Sequence, residues 1–172
     1  GIFLDSDHIL NWANQFGDDA EFMLNEISHV LPKVYISKAT AKDFIDKHII
    51  ALQKEFGYSN LADLLINTEF LDVQEAHKSQ PAILSILESL LNEKYGESYL
   101  KYKTYPKVNF VYFDDILASG STVGRQLLEW LNSDNSEGVR NADNILNNSY
   151  RHSVNMFCCH TWGRSFQEFR LQ

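Results

Sequence analysis

VNFVYFDDILASGSTVG, residues 108–124, is the stretch on which the reading of the chain turns. It begins as a run of apolar and β-favouring residues, passes through two adjacent carboxylates, Asp114 and Asp115, and ends in small, hydroxyl-bearing residues around Gly120. The run predicts a buried strand over residues 108–113, and QLLEWL beyond it predicts a helix over residues 122–131. A strand that gives way to a helix through a short loop belongs to a parallel α/β sheet, and such sheets hold their ligands at the carboxyl ends of their strands. Asp114 to Thr122 occupy that position.

The residue types there suit two different tasks. A tight turn containing glycine, followed by the unpaired N–H groups of a helix start, forms a concavity that favours an anion such as phosphate. Ser119, Ser121 and Thr122 add hydroxyl donors, and Gly120 allows close backbone approach. An ionised Asp only accepts hydrogen bonds, so a pair suits vicinal sugar hydroxyls, with a metal ion as a further partner. Phosphate at one end and a diol at the other describe a ribose 5-phosphate.

Working outward, AILSILESLLNEKYG, residues 82–96, carries Ile83, Ile86, Leu87, Leu90 and Leu91 on one side and predicts a helix from Pro81 to about Lys94, with Ser79 as N-cap and Gly96 as its end. EFLDVQ before it reads as a short strand, and EAHKSQ as the polar loop between them. Residues 133–149, SDNSEGVRNADNILNNS, read as a solvated loop, and VNMFCCH, residues 154–160, as an apolar strand. Upstream the character is helical. A helix from Asp18 has an apolar stripe through Phe22, Ile27 and Leu31 and is expected to stop at Pro32; a second, capped by Thr40, runs to Gly57; Asn60 caps a third. The expected fold is therefore an N-terminal helical subdomain over residues 1–67 joined to an α/β core over residues 68–172. Only three convincing strands precede Gln172, which points to a core incomplete at its C-terminal end.

The composition excludes several classes. The 172 residues are 44% hydrophobic and 22% charged, the balance of a globular domain. With 23 acidic and 15 basic residues the net charge is -8, which opposes binding along a nucleic-acid backbone. No stretch reaches the roughly 18 apolar residues of a membrane span, and GIFLDSDHIL has neither a basic leader nor a cleavage site, so a cytoplasmic location is expected. The neighbouring Cys158 and Cys159 read as small buried side chains. On a strand they point to opposite faces, so with His152 and His160 they make a poor metal cluster.

VYFDDILASGST resembles the phosphoribosyl diphosphate (PRPP) signature of type I phosphoribosyltransferases: hydrophobic residues, two acids, hydrophobic and small residues, then Ser or Thr, Gly, any residue and Thr. The resemblance implies a parallel three-layer α/β sheet of that type, with Asp114 and Asp115 holding the ribose hydroxyls and, through ligand or water, Mg²⁺. It implies that Ala118, Ser119, Gly120, Ser121 and Thr122 wrap the 5-phosphate. By the same resemblance, an earlier loop grips pyrophosphate; HKSQP, residues 77–81, has the right placement, with Lys78 supplying charge and Ser79 the helix start. A solvated loop whose serine caps a helix accounts for HKSQP equally well. YGESYLKYKTYP, residues 95–106, sits where the family carries a mobile hood, with Lys101 and Lys103 facing an anion; a packed surface connection explains it as well. The layout, with its early WANQF and the helices before the sheet, is similar to phosphoribosyltransferase-like effector domains of bacterial conflict and defence systems. The implied function is transfer of a phosphoribosyl group from PRPP to an acceptor the sequence does not identify, with a protein partner met through the N-terminal helices. The alternative is a non-catalytic module that senses a nucleotide or serves as scaffold.

Two rival readings fail on context. YFDD is similar to the YxDD of reverse transcriptases, but there a return strand follows, whereas ILASGSTVG leads to a helix. A Walker B strand would need GxxxxGK[ST], which the chain lacks.

Overall fold

The computed structural model describes residues 5–117, 121–135, 137–147 and 154–161. The chain divides into two compact units, Gly1–Ser37 and Lys38–Gln172.

The first unit is a pair of helices, α1 (Ser6–Asn14) and α2 (Ala20–Val34), joined by a 3-10 turn at Gly17–Asp19. Asp5 caps α1 by accepting from the His8 N–H at 2.9 Å. Trp12 and Phe16 meet edge to face at 5.0 Å beside the buried Ala13, the pairing expected of aromatics four residues apart on a helix. Pro32 does not end α2, which continues to Val34. A proline in the last turn removes one hydrogen bond without unwinding the rest, and the Tyr35 N–H still reaches the Leu31 carbonyl at 2.8 Å.

The second unit carries a parallel sheet in the order β1-β2-β3, formed by β1 (Thr68–Phe70), β2 (Asn109–Leu117) and β3 (Val154–Thr161). Before it lie α3 (Lys38–Glu55) and α4 (Leu61–Asn67). Helix α5 (Ser79–Leu90) connects β1 to β2, continuing into a π-helical turn at Leu91–Tyr95 and, after Gly96, a 3-10 turn at Tyr99–Tyr102. Helices α6 (Ser121–Asn132) and α7 (Asn141–Asn147) lie between β2 and β3. Helix α3 starts two residues before the expected Thr40 cap and ends in a Schellman arrangement: Gly57 takes φ +74, its N–H reaches Lys54 and that of Tyr58 reaches Gln53. Asn60 caps α4 by accepting from the Asp63 N–H at 2.9 Å.

Strand β2 is covered on both faces. Val111 and Phe113 point into a core built with Ile45, Ile49 and Leu52 of α3, Leu64 and Leu65 of α4, and Ile83, Leu84 and Leu87 of α5. Phe110 and Tyr112 point the other way, toward Leu71, Val123, Leu127 and Trp130. Successive strand residues alternate faces, so a strand with helices on both sides must be apolar at nearly every position. The apolar residues of α3 and α4 thus lie in one core with the sheet.

Three local readings change. β2 does not end at Phe113 but runs through both aspartates, because pairing with β3 continues to Ile116↔His160 and Leu117↔Thr161. Ser79 is the first residue of α5, not its cap; Lys78 holds the extended cap position. The polar segment after α6 is not all loop. Arg140 grips Asp143 through two hydrogen bonds, of 3.0 and 2.7 Å, at the start of α7, and Ile145 packs on the core.

Candidate functional site

Because β1 stops at Phe70, it covers only the first part of β2, and the loop after β1 runs beside the remainder. Past the end of β1 the Leu71 N–H still reaches the Val111 carbonyl, at 2.8 Å. Beyond it a side chain takes over. Gln80, fully buried, donates from Nε2 to the Phe113 carbonyl at 3.2 Å and accepts at Oε1 from the N–H groups of Val73 and Gln74, at 2.8 and 3.1 Å. Its primary amide thus bridges the loop to β2 where a longer β1 would have done so with its backbone.

Gln74 answers Gln80 in kind. Its Oε1 accepts from the Gln80 N–H at 3.2 Å, and its Nε2 donates to the Tyr112 hydroxyl at 2.7 Å. The same nitrogen lies 3.4 Å from Asp114 Oδ2 and 3.4 Å from Gln126 Oε1. The Tyr112 hydroxyl, on a fully buried ring, is 2.6 Å from Gln126 Oε1 and 3.3 Å from Asp114 Oδ2. A phenol has one proton, and the shorter contact marks Gln126 as its main acceptor.

Asp114 is the meeting point of this network. It is 8% exposed, and a carboxylate that dry requires donors. Oδ2 faces Gln74 and Tyr112, and Oδ1 accepts from Ser79 Oγ at 3.2 Å. The loop after β1 and the start of α5 therefore meet β2 at one carboxylate. All of these donors are neutral.

Of the residues that the sequence singled out, Asp114 and Ser79 are brought into contact. Lys78 is exposed at the head of α5. Ser121 and Thr122 are the exposed first two residues of α6. Asp115 follows Asp114 in β2; its side chain, and the whole of Ala118, Ser119 and Gly120, lie outside the described residues, as do His152, Trp162 and Arg164. Cys158, Cys159 and His160 lie in β3, with side chains also outside them. Among the described residues no three His, Cys, Asp or Glu side chains gather as a metal site. Helix α5 offers an anion few amides: the Gln80 N–H is donated to Gln74, and Pro81 has none. In the tyrosine-rich connection Lys101 lies 3.4 Å from Glu97 and over the Tyr102 ring. Burial, reinforced by the carboxylates of Glu88, Asp72 and Glu69, pushes the Tyr99 hydroxyl up to about 12.

Gln74, Gln80, Tyr112 and Gln126 were not singled out by the sequence. The one available signal was two glutamines flanking a polar loop ahead of an apolar helix, and glutamine at a helix start is too common to stand out.

A family model, PRTase-CE, matches residues 9–170. The chain belongs to the PRTase-CE family and is a phosphoribosyltransferase-like protein. Nothing among the curated proteins and nothing among the solved structures matches it.

Proposed function

We propose that this phosphoribosyltransferase-like chain binds PRPP with Mg²⁺ and transfers its phosphoribosyl group to an acceptor. The observation that carries the reading is the contact between Ser79 and Asp114, which joins the segment after β1 to a carboxylate of the adjacent parallel strand β2, toward the carboxyl ends of the strands where such sheets hold their ligands. In this reading Asp114 and Asp115 accept from the ribose hydroxyls, and Ala118, Ser119, Gly120, Ser121 and Thr122 surround the 5-phosphate. Lys78 and the loop before it meet the pyrophosphate, by charge and loop amides more than by the start of α5. In this reading the core is a three-layer sheet of the phosphoribosyltransferase type.

Displacement at the anomeric carbon develops oxocarbenium character and needs no protein nucleophile. The residues contribute by holding the ring in line and by hydrogen bonding the departing group. Mg²⁺, when bound, neutralises charge on pyrophosphate. Asp114, whose carboxylate accepts from the neutral side chains of Gln74 and Ser79, offers the oxygen chemistry that suits a hard cation held mainly by the ligand's phosphates.

Titration calorimetry with PRPP and Mg²⁺ tests binding, and pyrophosphate release in the presence of candidate acceptors tests transfer. Heat of binding with no release under any acceptor would favour a non-catalytic, nucleotide-sensing or scaffold module. The neutral donors already engaging Asp114 speak for that second reading. The proposed setting is cytoplasmic, as an effector of bacterial anti-phage defence, with a protein partner at the N-terminal helices and no nucleic acid bound directly. Among the described residues no helix is long and apolar enough to cross a membrane.

A further inference from the structure

We propose that the Ser79 hydroxyl is a placeholder for the ligand on Asp114, surrendered when an anion binds the loop after β1, so that the two ends of the site are thermodynamically linked. The proposal rests on the reading of the site as a holder of ribose phosphate and pyrophosphate.

Asp114 is nearly dry, so it must keep hydrogen-bond donors whether or not a ligand is present. Its described donors differ in how firmly they are held. Gln74, 3.4 Å from Oδ2, is fixed by the mutual bonds with Gln80, and beside it stands the Tyr112 hydroxyl, whose proton goes mainly to Gln126. Ser79 is different. It is half-buried, sits where the exposed loop enters α5, and reaches Oδ1 at 3.2 Å through a hydroxyl that needs only a χ1 rotation to leave. Chemically it is also the donor most like a sugar hydroxyl.

A hydroxyl carries one proton, so Ser79 cannot donate at once to Asp114 and to an anion oxygen beside Lys78. An anion there draws the proton away, and a ribose hydroxyl takes the place of Ser79 on Oδ1. The sign of the linkage is therefore positive, and reciprocity requires each ligand to tighten the other equally.

The test is calorimetric titration of the protein with ribose 5-phosphate and Mg²⁺, with and without saturating inorganic pyrophosphate. Pyrophosphate is expected to tighten ribose 5-phosphate binding about fivefold or more in the unaltered protein. Ser79→Ala is expected to bind ribose 5-phosphate as tightly without pyrophosphate as the unaltered protein does with it, and to gain nothing further. Ser79→Thr, which keeps the hydroxyl, restores the dependence. A pyrophosphate effect undiminished in Ser79→Ala, or weaker ribose 5-phosphate binding in that variant, overturns the proposal. So does binding by the unaltered protein that ignores pyrophosphate, an arm that needs no variant to fold; it leaves the site reading intact. Failure of the unaltered protein to bind ribose 5-phosphate or PRPP refutes the site reading and this proposal together.

Discussion

Gln74 and Gln80 each use the side-chain carbonyl to accept from the other's backbone N–H, at 3.2 and 3.1 Å. The pair closes the loop after β1 on itself, while the remaining amide nitrogens reach out to Phe113, Tyr112 and Asp114.

Gln80→Leu keeps the volume but strands the amides of Val73 and Gln74 and takes the Gln80 donor from the Phe113 carbonyl. An unsatisfied buried polar group costs about 1–3 kcal/mol, and partial rehydration of the loop offsets some of the sum. Urea unfolding should show a loss of about 3 kcal/mol with an unchanged slope. A loss below about 1 kcal/mol would mean that the loop rearranges without this residue.

Tyr112→Phe removes only a hydroxyl from a fully buried ring. Gln74 and Gln126 lose a shared partner and can bond each other, since their amide groups already lie 3.4 Å apart. The expected cost is about 1 kcal/mol in the same measurement.

Asp115→Asn is expected to weaken PRPP binding about tenfold or more, ~1.4 kcal/mol, with the thermal midpoint unmoved. Asp114→Asn should lower both, because its carboxylate also secures Ser79 and Gln74. Calorimetry and thermal melts on the two variants separate the roles; equal effects on the midpoint would assign both acids to structure.

Glu69, half-buried in β1, has its carboxyl raised above the usual range by burial, with Lys107 and Lys103 opposing. A raised carboxyl favours the folded state while protonated, so its contribution is greatest below the ordinary glutamate range and is lost as pH climbs through the folded value. Glu69→Gln should therefore be more stable than the unaltered protein at pH 7, and the gap should close on acidification. Urea midpoints at pH 7 and pH 4 decide it; a gap that widens toward acid would contradict this.

Lys107 caps α4 by donating to the carbonyls of Leu65 and Ile66 at 3.1 and 2.9 Å. Lys107→Met should cost about 1 kcal/mol, through carbonyls left to water and a lost charge at the negative end of the helix.

How much of this was readable in advance depended on the range of each interaction. The body of β2 was legible because burial on both faces requires an unbroken apolar run, and the run is there at 110–113. Its end was not. Asp114 and Asp115 read as a strand terminus by polarity, yet strand pairing is a backbone property and continues beside β3. Asn60 and Gly57 were legible because caps are local chemistry. Helix α7 was hidden because its seven residues are too few to show a periodic stripe, although Ile145 packs on the core. The sequence grouped α3 and α4 with the helices before them; their stripes are plain, but a stripe does not name the surface it covers, and these cover the sheet. At the site, the acid pair stood out by composition, whereas the glutamines that organise it are joined across 52 positions of sequence and carry no mark of their own.

The three-residue length of β1 leaves the edge of β2 at Phe113 to be held by the Gln80 amide where backbone would otherwise lie. A ladder of main-chain bonds is indifferent to residue type, whereas a bridge made by a glutamine amide depends on that one side chain. The join at this edge can thus be altered by a single substitution, as main-chain pairing cannot.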